Sequence, residues 1–79
     1  MKGLRLLLLK MVREHEKLMV DALAISRVMR IYGGSFVRCL GDALAHADMN
    51  NKRKIKEAFS DYWNAYEKIA RTEGYFEDE

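Results

Sequence analysis

The sequence predicts an all-α protein of three to four helices, in which a long N-terminal amphipathic helix precedes two or three shorter helices. Three observations predict this class. The 79 residues include no proline, so every segment can continue an α-helix. Apolar residues recur at intervals of three and four over residues 4–28 and again over 55–70. Between these stretches stand Gly33 and Gly34, and glycine commonly ends a helix.

The first helix is predicted over residues 4–32, and Gly33 and Gly34 are expected to end it with left-handed backbone angles. Its first two turns are leucine-rich on nearly all sides, more than the later helices can cover. An exposed apolar surface of this kind usually marks an interface, so we expect a homo-oligomer, with a dimer favoured. The expected interface residues are Leu4, Leu7, Leu8 and Met11. The alternative is a monomer in which the first helix is fully covered. His15 lies on the same apolar stripe, and we expect it to be partly buried at the interface.

The second helix is predicted to begin at Ser35, acting as the N-cap, and to stop near Ala47–Asp48. Gly41 lies inside it and is expected to let another backbone approach closely. Arg38 and Asp42 are four residues apart and are expected to pair weakly. Cys39 is expected to be a small buried residue.

A turn-like patch at Asp48–Asn51 precedes a third helical segment, which spans residues 51–71. This segment is either one kinked helix or two short ones, with Ser60 able to cap the second. Its aromatic residues fall on one stripe, which favours core packing, with stacking of a nucleobase as the functional alternative. Gly74 is expected to end the segment.

The length of the chain suggests one domain, and the charges divide it into a basic body and an acidic tail. The chain is long enough for a single domain, residues 1–79. Residues 1–71 hold all 14 Lys and Arg and eight of the 12 acids, an excess of six positive charges. Residues 72–79 hold the other four acids and are expected to form a frayed acidic tail. The basic body either attracts anions or is ordinary solvated surface.

No catalytic pattern is present in the sequence, and we expect neither an enzyme nor a cofactor. No Ser/His/Asp spacing, phosphate-binding glycine loop or HExxH motif occurs. The single cysteine excludes an internal disulfide and a Cys-rich metal site, and no metal is expected. The apolar run Leu6–Leu9 is too short for a signal peptide or a membrane span, so we expect a cytoplasmic protein that does not bind membranes.

Two places are candidates for binding. The first is the turn between the first two helices, where free amides and nearby side chains have the composition of a small anion or nucleotide-phosphate site. Its residues are Tyr32, Gly33, Gly34, Ser35 and Arg38. The same Gly-Gly-Ser sequence also suits a simple hinge between helices.

The second candidate is a basic patch formed by Lys52, Arg53, Lys54 and Lys56. It begins a helix that follows a turn of roughly four residues, as in a helix-turn-helix DNA-binding unit. The predicted second helix offers few base-reading side chains, so nucleic acid is the less favoured partner.

The stretch YGGSFVRCLGDALAHAD, followed by KIKEAFSDYW, resembles small uncharacterised helical proteins of bacteriophages and prophages. The resemblance covers about residues 32–66 and carries no catalytic residue. It implies a phage-type accessory protein acting in the host cytosol, and such proteins often bind components of host defence. We therefore expect a homo-oligomer that sequesters an anionic nucleotide-like ligand. The alternatives are direct binding of a host defence protein and helix-turn-helix-like DNA binding.

Overall fold

A computed structural model describes the backbone of residues 2–76 and the side chains of residues 3–76. It contains four helices, α1 (Lys2–Tyr32), α2 (Ser35–His46), α3 (Met49–Ala58) and α4 (Ser60–Thr72). No strand occurs among the described residues, so the predicted all-α class is confirmed. The molecule measures 50 × 25 × 19 Å. Its long dimension follows from α1, because 31 residues at 1.5 Å each give about 46 Å.

The core forms against the C-terminal half of α1. Leu18, Ala22, Ile25 and Met29 repeat at intervals of four and three, so they share one face of the helix. Side chains of α2 and α4 pack against them in one cluster, namely Val37, Leu40, Leu44 and Trp63. Beside it, Ala24 and Val28 of α1 pack against Ala70 of α4 in a second cluster. The three shorter helices therefore cover only the second half of α1.

At the junction of α1 and α2, glycine is needed because the chain packs closely there, and not because the backbone is left-handed. Neither Gly33 nor Gly34 has a positive φ, so the predicted left-handed ending is wrong. A β-carbon on Gly33 would lie 2.5 Å from the carbonyl oxygen of Met29, which leaves no room for a side chain. Gly34, in extended backbone, is the N-cap of α2. Ser35 is the first helical residue, so its predicted N-cap role is also wrong.

A side-chain cap begins α3, and a break in the backbone separates α3 from α4. The Asp48 carboxylate caps α3 by accepting a hydrogen bond from the amide of Asn51 at 2.8 Å. The third segment is two helices, because the backbone breaks at Phe59, which has φ −120° and ψ 43°. Phe59 is the N-cap of α4, and Ser60 makes no capping bond.

The chain end after α4 is folded back onto the second cluster. Gly74 has φ +78°, and the amide of Tyr75 donates to the carbonyl of Ala70 at 2.9 Å, the pattern of a Schellman motif. Tyr75 and Phe76 are half-buried against that cluster, and the Arg71 guanidinium lies 4.3 Å from the Phe76 ring centroid. These two residues therefore pack, although we expected them in the frayed tail. Residues 77–79 of that tail lie outside the described residues.

Candidate functional site

The N-terminal half of α1 projects beyond the other helices. Every residue from 3 to 17 is exposed, and Leu18 is the first buried side chain of the helix. The four predicted interface residues are half exposed or more, Leu4 at 58%, Leu7 at 56%, Leu8 at 54% and Met11 at 50%. The uncovered surface thus extends over four turns rather than the two that the sequence predicted. Leucines this exposed along one helix are more than a soluble monomer usually leaves uncovered.

Among the described residues, one side-chain hydrogen bond joins this projecting segment to the shorter helices. The Arg53 guanidinium of α3 donates to Nε2 of His15 at 2.9 Å. His15 is itself exposed in the single chain, so its predicted partial burial requires an oligomer. The bond places the first turns of α3 beside the point where the covered and uncovered halves of α1 meet.

The residues of the predicted anion site lie together at the α1–α2 turn. Tyr32 is 52% exposed, and Gly34, Ser35 and Arg38 are exposed as well, whereas Gly33 is half-buried. The first amides of α2 have no acceptor within the helix, and Gly34 has no side chain to cap them. The turn therefore presents free donors at the positive end of the helix dipole.

The charge arrangement beside this turn differs from the prediction. Asp42 pairs with Arg30 of α1, at 3.7 Å between Nη1 and Oδ1, and not with Arg38. The reason is that α2 lies directly against α1 at Gly41, which brings Asp42 within reach of the Arg30 side chain. Arg38 consequently makes no ion pair within the described residues 2–76.

The basic patch of α3 is dispersed. Lys52 bonds back to the carbonyl of Ala47, Arg53 bonds to His15, and Lys56 lies 5.6 Å from the Trp63 ring centroid. Lys54 is exposed. The turn between α2 and α3 is two residues, 47 and 48, rather than the roughly four residues predicted. Three of the four cations thus have contacts within the chain, which weakens the DNA-binding interpretation.

Aromatic side chains form a surface cluster as well as a core. Trp63 is 1% exposed, as core packing requires, but its neighbour Tyr62 is 39% exposed. Phe36, Phe59 and Tyr62 contact one another, with ring centroids 5.7–6.4 Å apart. We call these three residues the aromatic patch. Phe36 directly follows Ser35, so the patch adjoins the α1–α2 turn.

Sequence reasoning missed a buried carboxylate, that of Asp21. It is 4% exposed and lines a cavity of about 520 Å³ together with Arg13, Lys17 and Tyr75. Burial raises the pKa of Asp21, the nearby Glu67 raises it further, and Lys17, Arg71 and Lys56 lower it in part. The signal in the sequence is an acid within the otherwise apolar run MVDALAI.

Cys39 is exposed, so its predicted burial is wrong. No three His, Cys, Asp or Glu side chains of residues 2–76 converge closely enough to hold a metal ion. Within the same range, no helix has the length and apolarity needed to cross a bilayer.

Compared with models of protein families, with curated proteins and with solved structures, the chain gives no match. The resemblance to bacteriophage proteins therefore stays a prediction from the sequence motifs.

Proposed function

We propose that this protein is a non-enzymatic accessory protein of the bacteriophage type that works by binding. Its working form is a homo-oligomer, most simply a dimer, assembled through the N-terminal half of α1, and its place of action is the host cytosol. The observation that carries the proposal is the exposure of Leu4, Leu7, Leu8 and Met11 on the N-terminal half of α1, which no other described helix covers.

The free energy gained by burying these leucines favours association. Burying a fully exposed leucine contributes about 1.5–3 kcal/mol, and Leu4, Leu7 and Leu8 are 54–58% exposed, so covering each of them contributes roughly half of that. A chain of 79 residues also buries a modest core, so burial in an oligomer adds a large share of its total stability.

The oligomer is tested by its mass in solution, with a matched pair of variants. Leu8→Glu places a charge on the face that continues the core stripe, whereas Leu6→Glu places the same charge on the opposite face. Both leucines are exposed in the single chain, at 54% and 67%, so neither change disturbs the folded monomer. We expect wild type and Leu6→Glu to share one oligomeric mass and Leu8→Glu to run as the monomer. A monomeric wild type at all concentrations would overturn the proposal.

For the ligand, we propose an anionic nucleotide-like molecule held at the α1–α2 turn, whose capture would counteract host defence. Support comes from the uncapped amides at the start of α2 and from Arg38, which has no ion pair within residues 2–76 because Asp42 pairs with Arg30. Exposed rings of Tyr32 and Phe36 flank these donors and offer faces on which a base can stack.

A panel of cyclic and linear nucleotides tests this ligand by thermal shift, since a molecule that binds only the folded state raises the melting temperature. Arg38→Ala should lose the shift. The control is Lys68→Ala, which removes one exposed positive charge from α4 instead of from the start of α2. Equal shifts in both variants, or no shift with any nucleotide, would contradict the proposed site.

Direct binding of a host defence protein is the second candidate, and the aromatic patch favours it. Exposed aromatic side chains are enriched at the centres of protein interfaces. Capture of a host protein that is lost with Phe36→Ser, but kept with Arg38→Ala, would select this candidate over nucleotide capture. DNA binding ranks below both, because the cations of α3 are mostly engaged within the chain.

A further inference from the structure

The proposed oligomer leaves open how its subunits are arranged. Resting on that proposed function, we propose that a second copy of this chain lies antiparallel on the N-terminal half of α1. In this arrangement Leu4 faces the partner's His15, and Leu8 faces the partner's Met11.

The apolar stripe of α1 is continuous along the whole helix. Its positions alternate at intervals of four and three residues, which is the repeat of a coiled-coil seam. They are Leu4, Leu8, Met11, His15, Leu18, Ala22, Ile25 and Met29. One half of this seam is therefore the core of the folded chain, and the other half has the same pattern without a cover.

The boundary between the two halves is sharp. Leu18, Ala22 and Ile25 are 8%, 1% and 0% exposed, because α2 and α4 pack on them. Leu4, Leu8 and Met11 are 50–58% exposed. Four consecutive positions of the seam, from Leu4 to His15, are thus exposed to a partner helix, and the Arg53 side chain contacts the last of them.

A parallel pair is excluded by the position of the shorter helices. A parallel partner on residues 4–15 would continue along the same seam toward residue 29, where α2 and α4 already lie. It would also place the two cation-rich segments side by side, since residues 2–13 contain four Lys and Arg and no acid. An antiparallel partner extends away from the body and puts the two bodies at opposite ends.

The covered half of the seam also determines the register. Pairing Leu4 with the partner's His15, and Leu8 with the partner's Met11, covers all four open positions of both copies. A shift of one heptad toward the body would require Leu18 and Ala22, which the chain already buries. A shift the other way would leave Met11 and His15 uncovered.

In the antiparallel pair, the N-terminal segment of each copy meets a suitable surface on its partner. The cation-rich segment of one copy lies alongside residues 13–17 of the other, where Glu14 and Glu16 balance Arg13 and Lys17, so it meets less positive charge than in a parallel pair. The N-terminal turn of each copy ends beside a cavity of about 540 Å³ at the edge of the partner's body. Leu18 and Trp63 line this cavity, and the Trp63 indole N–H, although buried, has no acceptor among the described residues.

Disulfide trapping tests the arrangement in the full chain. In a Cys39→Ser background, which removes the exposed native thiol, Leu4→Cys and His15→Cys are prepared separately and mixed under mild oxidation. In the antiparallel pair the two new thiols face each other. Two Leu4→Cys copies would instead hold their thiols about 16 Å apart along the helix axis, beyond the reach of a disulfide.

We expect a covalent dimer of twice the 9.2 kDa chain mass in the mixture, and none with either variant alone. Self-linking of Leu4→Cys without linking in the mixture would overturn the antiparallel arrangement. A dimeric mass in solution with no link in any sample would overturn the register and leave the proposed oligomer standing. A monomeric mass with no link would overturn both.

Discussion

The β-carbon that Gly41 lacks would lie 2.8 Å from the β-carbon of Met29. It would also lie 3.0 Å from the carbonyl oxygen of Ser26, which belongs to the backbone of α1. The close contact of α1 and α2 therefore depends on the absence of one side chain, in agreement with the close approach that the sequence predicted for Gly41.

Gly41→Ala should lower the free energy of unfolding. Alanine improves helix propensity by about 1 kcal/mol, but crowding in a packed core costs about 1–3 kcal/mol, and here the obstacle is partly backbone. Chemical denaturation measures the change. Gly3→Ala is the control, because Gly3 is also a helical residue and a β-carbon there meets nothing within 4 Å. If Gly41→Ala were the more stable of the two variants, the close contact of α1 and α2 at Gly41 would be contradicted.

The approximate ends of the helices could be predicted because they depend on neighbours in the chain, although α3 begins at Met49 rather than at residue 51 and neither Ser35 nor Ser60 is a cap. The end of α1 near Gly33 and the stop at Gly74 follow from the glycines themselves, and Asp48 is a standard N-cap. The open surface of Leu4–Met11 was also visible, because leucines on all sides of a helix exceed one partner face.

The side-chain partners could not be predicted in the same way. They depend on how α2 is rotated about its own axis against α1, which the spacing within α2 does not determine. Val37 turns inward, so Phe36 and Cys39 turn outward, and Asp42 meets Arg30 instead of Arg38. The burial of Asp21 likewise depends on α4 and the chain end, which are distant in sequence.

The cap of α3 provides a second prediction. Asp48→Ala should lower the free energy of unfolding by about 1 kcal/mol, because the amide of Asn51 loses its acceptor. Asp48→Asn removes the charge but keeps a capping oxygen, so it should retain most of the stability. Denaturation of the three proteins at equal concentration measures both changes. Equal losses in the two variants would mean that the charge, and not the hydrogen bond, stabilises this end.

The turn after α4 provides a third prediction. Gly74→Ala should destabilise the chain by about 1–2 kcal/mol, because φ is +78° and a β-carbon disfavours that region. Asn tolerates left-handed backbone better than Ala, so Gly74→Asn should lose less. Space is not the cause, since no atom lies within 4 Å of the added carbon. Identical stability of all three would show that the Schellman turn does not contribute to folding.

Asp21 gives a pH-dependent prediction. Burial raises its pKa in the folded chain above the usual 3.8. An acid of this kind stabilises the fold when protonated, so its contribution is complete below pH 3.8 and is lost as the pH rises through the folded-state pKa. At pH 7 the ionised carboxylate is therefore a cost to the folded state.

Asp21→Asn keeps the size of the side chain and removes that charge. Its melting temperature should exceed that of the wild type at pH 7, and the difference should shrink steadily as the pH is lowered toward 4. Thermal unfolding at a fixed protein concentration measures it, with exposed Asp61→Asn as the control for loss of one negative charge. A variant less stable than the wild type at pH 7 would show that the attraction of Lys17, Arg71 and Lys56 outweighs the cost of burial.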